Sequence, residues 1–456
     1  MLRRAAISAI LLCAALAAGA RTRPRYGGTV RVEIEGDAWA PEGLARQLVL
    51  DTLTVADDSG QAQPALAVQW SAQNSDQRWD FRLRPGVNFT DGTPLTADAV
   101  AASLTASCAT ASSPNAASNT LAASCPWSAV YVGGSSEVVI TTGTPMPDLP
   151  ELLAQTRFAI ARRDSTGAVV GTGPFRVAGF PNGALTLTAN DDCWRGRPFL
   201  DSVEIFPHRG IRDQWLDLSV GRADLVEVPP QLLSAAQQQH FSLLVSRPVD
   251  LLALTLAPEG AFADLRMRQS AALSVDRDAL YNVVFQKQGE ITASLLPQAL
   301  SGYAFLFPVS RDLNDARALR GGASSPAAAL SAPAGNSTLQ LAAERLALNL
   351  HEAGFSIRIA PPGTGSTLAL RLVHVEASTP RAALDEALEA LGQSVTVTGT
   401  DSASLWRAES EVLRDRTVIP LLWLPRAWAT GPNVRGLTLS ADGAPRLADA
   451  SLEGPK

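Results

Sequence analysis

The chain is short of the groups that most often carry catalysis or grip polyanions. Its 456 residues include two lysines (Lys287 and Lys456), four histidines, four cysteines and only 6% aromatic side chains. The histidines, His208, His240, His351 and His374, are scattered. None stands in H-x-x-E-H or H-E-x-x-H spacing, so a zinc or facial-triad site is not expected. G-x-S-x-G and S-x-x-K are absent, which leaves a serine nucleophile without local support. The pairs Asp57-Asp58 and Asp191-Asp192 read as solvated turns rather than calcium ligands. Positive charge is scarce too. Lys and Arg number 38 against 44 Asp and Glu, for a formal net charge of −6. No concentrated basic face is expected, which argues against nucleic acid as a partner. After residue 20 no apolar run is long enough to span a bilayer.

What is present fits a soluble globular protein of two or three structural units, with 46% hydrophobic and 18% charged residues. Residues 1–20 read as a secretory signal: Arg3-Arg4, an apolar run from Ala5 to Leu16, and Ala18-Gly19-Ala20 before Arg21. Removing them leaves 36 basic against 44 acidic side chains, a charge of −8. Cys13 raises a lipoprotein alternative, but Leu12 before it is larger than a lipid-attachment site favours. The chain is therefore expected to be periplasmic or secreted. In an oxidising compartment Cys108 and Cys125 are candidate disulfide partners, with Cys193 left over; three unpaired thiols are the alternative.

The most informative stretch is Trp79–Val100, WDFRLRPGVNFTDGTPLTADAV. Trp79, Phe81 and Leu83 alternate with Asp80, Arg82 and Arg84, the period of a half-buried strand. Pro85-Gly86 and Asp91-Gly92 mark turns. Thr96 then stands where a helix N-cap belongs, with Asp98 in the first turn. The residues from Phe81 onward resemble the signature F-x-L-R-x-G-V-x-F-x-D-G-x-P-x-T-A-x-D-V of the oligopeptide/dipeptide/nickel-binding family of extracellular solute-binding proteins, departing from it at Ala99.

Further segments resemble the same family in the same order. They are Gly27-Gly28-Thr29 leading into the alternating VRVEIE, Pro64-Ala65-Leu66-Ala67 with Trp70, and Gly171-Thr172-Gly173-Pro174-Phe175. The last is not a phosphate loop, because Arg176 takes the place of the third glycine and Pro174 lacks an N–H. Trp194 to Val203, Leu216 to Leu225, and the helix expected over Asp264 to Leu280 continue the likeness. So do Gly289 with Leu296-Pro297, Ile419-Pro420-Leu421, and Pro432 to Gly436. Residues 43–56 have helical spacing, and residues 107–128 and 321–338 read as small-residue surface loop and linker. Where the family has a long Trp-, Tyr- and Asp-rich segment supplying second-lobe ligand contacts, this chain has only LALRLVHVEASTPRAALDEALEALG.

The resemblance implies an α/β, two-lobed periplasmic-binding-protein fold (type II, cluster C-like) with mixed sheets and a shortened second lobe. Lobe I would span 21–245 with a small subdomain at about 40–170. Lobe II would span 246–430, and 431–456 would return to lobe I. It further implies a monomer without cofactor or catalysis that binds a peptide or other small solute and delivers it to an ABC transporter permease. A divergent member acting as a structural or signalling receptor is the alternative, and an exported hydrolase a third class. By position, the ligand-binding candidates are Glu35, Asp37 and Trp39 after the first strand, and Thr172 in the G-T-G-P segment. Trp423 and Trp428 are expected in the core.

Overall fold

A computed structural model describes residues 24–453, apart from 41–42, 58, 112–124, 240, 322–326, 334, 362–365, 396 and 398. The expected secretory signal and Cys13 lie outside these residues, as does most of the 107–128 tract. No helix among the described residues is long and apolar enough to cross a membrane.

The signature stretch folds locally as its alternation dictates. Arg78–Leu83 is a strand with Trp79, Phe81 and Leu83 buried. Burying each such side chain contributes roughly 1.5–3 kcal/mol. It lies in a four-stranded antiparallel sheet, in the order Ala67–Gln73, Arg78–Leu83, Glu137–Thr141, Ala129–Gly134. Asp91 Oδ1 accepts from the N–H of Thr93 at 3.1 Å and closes the turn. Thr96 caps the helix Ala97–Ala111, its Oγ1 accepting from the N–H of Ala99 at 3.2 Å. Cys108, near the end of this helix, is bonded to Cys125, and Cys193 is free and buried.

An eleven-stranded mixed sheet organises everything else. One half runs Phe175–Gly179, Leu185–Ala189, Ser202–Phe206, Thr29–Glu33, Leu225–Glu227. The other runs Leu368–His374, Ala327–Ser331, Ser356–Ile359. Two long antiparallel strands, Val418–Thr430 and Ser242–Leu256, join the halves, and the short strand Glu290–Ile291 adds to the first of them. Parallel pairing is confined to the strands around Thr29–Glu33 in one half and Ala327–Ser331 in the other. In the joining pair Pro248 stands opposite Pro425, so neither residue can donate to the ladder there, and the register shifts on both sides of Pro248. Trp423 and Trp428 are buried, in different apolar clusters.

Three local expectations change. The helix expected over Asp264 to Leu280 ends at Ser274, because Val275 is already extended, and a short helix restarts at Arg277 with Asp276 as its N-cap. The helix expected over 43–56 stops at Val49, because Leu50 is already extended and the β-branched Thr54-Val55 continue as strand Thr54–Ala56. The stretch read as a flexible linker over 321–338 contains the inner strand Ala327–Ser331, with Ala328, Ala329 and Leu330 buried. Small apolar side chains suit a strand covered by helices as well as they suit a linker, and composition alone does not separate the two.

Candidate functional site

The G-T-G-P segment is best understood from its neighbours. A Cβ on Gly171 would stand 2.1 Å from the Val49 carbonyl oxygen, and one on Gly173 2.7 Å from the Val49 carbonyl carbon. Only glycine lets this loop lie against the C-terminal end of helix Leu44–Val49, where the N–H of Gly173 donates to Val49 O at 3.0 Å. Thr172 between them is fully buried, and its Oγ1–H donates to Asp51 Oδ2 at 2.9 Å. The same carboxylate accepts from Trp194 Nε1 at 2.8 Å and from Arg195 Nη2 at 2.6 Å. The indole of Trp194 in turn has the guanidinium groups of Arg84 and Arg195 at 4.5 and 4.6 Å from its ring.

Asp51 forms part of the wall of a cavity of about 510 Å³. Four regions meet there: the end of helix Leu44–Val49 with the strand after it, the turn Ala154–Thr156, the residues Glu376–Ser378 just after strand Leu368–His374, and the C-terminal segment from Ser440 to Asp449. Six carboxylates line it (Asp51, Asp57, Glu151, Glu376, Asp442 and Asp449) against two guanidinium groups, Arg195 and Arg446. Arg195 is already paired with Asp51. The cavity is therefore a site of negative potential.

Glu376 is its most perturbed group. Burial, then the neighbouring carboxylates of Asp442 and Glu386, push its carboxyl up to about 8. The N–H and the hydroxyl of Thr156 both donate to its Oε1, at 2.5 Å, which opposes the rise without cancelling it. Burial raises Glu386 as well, and its Oε2 accepts from the N–H of Ala377 at 2.9 Å. Gln155, 2% exposed and lining the cavity, accepts from Arg157 Nε through Oε1 at 2.7 Å, while its Nε2 has no partner. Among the described residues no group of three or more His, Cys, Asp or Glu side chains is placed to hold a metal ion.

None of the residues singled out in the sequence as ligand-binding lies in the wall of this cavity. Thr172 reaches it through Asp51. Glu35 is half-buried; burial and the nearby Glu227 carboxylate push it up to about 7. Its N–H donates to Glu227 Oε2 at 2.6 Å, and its Oε2 accepts from Asn336, the N-cap of helix Ser337–Glu352, at 3.4 Å. Asp37 is exposed and accepts from the N–H of Trp39 at 2.9 Å, while Trp39 packs half-buried against the core around the first strand. The sequence reading missed Gln155, Thr156, Glu376 and Asp442. Glu376 left one signal, a carboxylate closing an apolar strand in the very segment where the likeness weakens.

The family model describing bacterial extracellular solute-binding proteins, family 5 Middle, matches residues 61–404. YhjP of Bacillus subtilis is 28% identical over 246 residues, 52% of this chain and 39% of YhjP. The chain spans 36 to 58% of the length of the curated relatives it matches first. Two solved structures superimpose over 94% of this chain and 99% of their own. DppA from Helicobacter pylori, in complex with the peptide STSA, does so at a TM-score of 0.81 and 18% identity. AgaA from A. tumefaciens R10, in complex with agropinic acid, does so at 0.79 and 19%. The likeness shows the fold, a mixed α/β arrangement of the type II periplasmic-binding-protein kind.

Proposed function

Because the chain belongs to the family 5 bacterial extracellular solute-binding proteins, we propose that it captures a peptide or other small solute between two lobes and delivers it to the membrane permease of an ABC importer. The observation that carries this reading is the 510 Å³ cavity walled by segments far apart in the sequence. Its size is that of a small-molecule site, roughly 300–1,000 Å³. The peptide in the DppA structure and the agropinic acid in the AgaA structure support a small organic solute. The excess of carboxylates favours one that carries positive charge.

In this reading lobe I takes in residues 21–245, lobe II 246–430, and the remainder returns to lobe I. The joining strands Ser242–Leu256 and Val418–Thr430 serve as the hinge. The facing Pro248 and Pro425 weaken the ladder where bending is required. Residues 1–20 direct export to the periplasm and are removed, the mature protein is a monomer, and it carries out no catalysis. Thr172 acts at one remove by holding Asp51 in the wall, and Glu35 acts where the first strand meets helix Ser337–Glu352.

The test is thermal unfolding of the exported protein against a panel of amino acids, short peptides, amines and organic acids, with mass spectrometry of any co-purified solute. A ligand at a hundred times its Kd stabilises by about 2.7 kcal/mol. A panel with no shift and a protein that co-purifies with no small molecule would refute the reading.

A further inference from the structure

Two helix N-caps turn away from their own helices and meet each other. Asp148 precedes the short helix Leu149–Leu152, and Thr379 precedes helix Pro380–Ala390. At such positions an Asp or Thr oxygen ordinarily accepts from the first free N–H groups of its helix. Among the described residues neither side chain does so. Thr379 Oγ1–H donates instead to Asp148 Oδ2 at 3.5 Å, and Arg381 Nη1 donates to Asp148 Oδ1 at 2.6 Å. Near the other end of the same helix Glu389 takes Arg157 at 3.0 Å, and Arg157 lies over the Phe158 ring at 4.6 Å. Arg381 in the first turn and Glu389 in the last both oppose the dipole of the helix that carries them, so helix stability does not account for them. Backbone meets the same segment closely. A Cβ on Gly60 would stand 2.9 Å from Ser378 Cβ, and Ser378 Oγ–H donates to the Gly60 carbonyl at 3.0 Å.

We propose that Asp148–Arg381 and Arg157–Glu389 form an interlobe lock, by which the chain holds its two lobes shut with its own ion pairs. On the two-lobed reading above, Asp148 and Arg157 belong to lobe I while Thr379, Arg381 and Glu389 belong to lobe II, and the lock rests on that division. The joining strands Ser242–Leu256 and Val418–Thr430 stay continuous when the lobes part, so resistance to opening lies in the contacts that rotation breaks. These pairs are such contacts, and they need no solute to bridge them. The two differ in strength. Asp148 and Arg381 are each only 11% exposed in their side chains; losing one partner strands the other charge out of water in the shut form, and opening relieves it. Arg157 and Glu389 are 27% and 31% exposed, so their attraction is weaker and screened by salt. Release is also provided for. Asp385 Oδ2 stands 3.8 Å from Arg381 Nη2 on the same helix, so the guanidinium keeps a carboxylate beside it when Asp148 departs.

Single-molecule energy transfer between dyes on Tyr131→Cys in lobe I and Trp406→Cys in lobe II reads the separation of the lobes. Both positions are exposed, Cys108 and Cys125 are bonded to each other and Cys193 is buried, so the dyes go to the two new thiols. The protein is dialysed free of solute and no solute is added. The expected result for the parent is a dominant shut population of high transfer. Arg381→Gln and Asp148→Asn should each move the shut-to-open ratio toward open by about tenfold or more. The double variant strands no charge, so its shift should fall well short of the product of the two single shifts. Glu389→Gln should move the ratio by about two- to fivefold, which keeps the lock testable if a buried-pair variant does not fold. Raising salt from about 0.05 to 0.5 M should favour the open form in the parent, and less so in Glu389→Gln. A parent that is mainly open, or two populations whose ratio neither the variants nor salt alters, would overturn the lock and leave the two-lobed reading standing. Single shifts that simply multiply in the double variant would overturn the pairing of Asp148 with Arg381. One population, the same in every variant and at every salt concentration, would remove the two-lobed reading itself.

Discussion

Removing Asp51 tests whether Thr172 is a ligand contact or a support for the cavity wall. In Asp51→Ala the Thr172 hydroxyl, fully buried, loses its acceptor, at a cost of about 1–3 kcal/mol. The Trp194 indole N–H, part-buried at 2.8 Å from the carboxylate, adds roughly 1 kcal/mol. Arg195, whose side chain is 44% exposed, can turn to water and adds about 0–1 kcal/mol. The sum is about 2–5 kcal/mol. Thr172→Val keeps the volume and removes one of the three donors, for about 1 kcal/mol. In the double variant no orphaned hydroxyl remains, so its loss should fall short of the sum of the single losses by about 1–2 kcal/mol. Urea unfolding followed by tryptophan fluorescence measures all three variants, and titration with a bound solute measures affinity. Additivity within about 0.5 kcal/mol would refute the network. So would a Thr172→Val variant of unchanged stability that loses affinity, because the hydroxyl would then face the solute.

Three other outcomes follow from the same structure. Gly173→Ala should cost about 1–3 kcal/mol by pushing the loop off helix Leu44–Val49, since the new methyl would stand 2.8 Å from Leu48 O; an unchanged melting temperature would contradict that packing. Glu376 has a folded value near 8, above its ordinary 4.5, so its contribution to the stability of the empty protein is complete below about pH 4.5 and is lost as pH rises to 8. The stability difference between parent and Glu376→Gln should therefore change by on the order of 2–4 kcal/mol between pH 5 and pH 8, and a constant difference in pH-dependent melting curves would count against it. Of Cys108, Cys125 and Cys193, alkylation should find only Cys193, and only after unfolding; Cys108→Ser should cost about 3 kcal/mol, and two further reactive thiols in the oxidised protein would contradict the bond.

How far the sequence reveals this molecule depends on the distance over which each feature is decided. The strand Arg78–Leu83, its turns and the Thr96 cap are decided within about twenty residues, and alternation, Asp-Gly and Thr-x-x-Ala carry them in plain view. The glycines of G-T-G-P are visible as a motif, but their purpose is not, because Val49 stands against them only in the fold. Helix Leu44–Val49 was overdrawn because apolar spacing persists past Leu50 while the β-branched residues there prefer a strand. Ala327–Ser331 was missed because an alanine-rich run with one leucine has no period that identifies it as buried.

The candidate site lies beyond local reading altogether. Thr156 and Glu376 are 220 residues apart in sequence, and neither Gln155, Glu376 nor Asp442 belongs to a pattern with catalytic or ligand-binding spacing. Yet the grouping conflicts with what stability alone would choose. A carboxylate taken out of water is costly unless a cation accompanies it, and the nearby guanidinium groups of Arg157 and Arg195 are committed to Glu389 and Asp51 instead. A core built only to hold the chain together would have placed one of those arginines against Glu376, or an apolar side chain in its position. Local rules broken in this way concentrate where a protein meets something else. Supplying a charge from within, by Gln155→Arg, should therefore raise the melting temperature above pH 7, where Glu376 would otherwise ionise without a paired cation; a variant that gains no stability there would show that Glu376 does not lack a counter-charge.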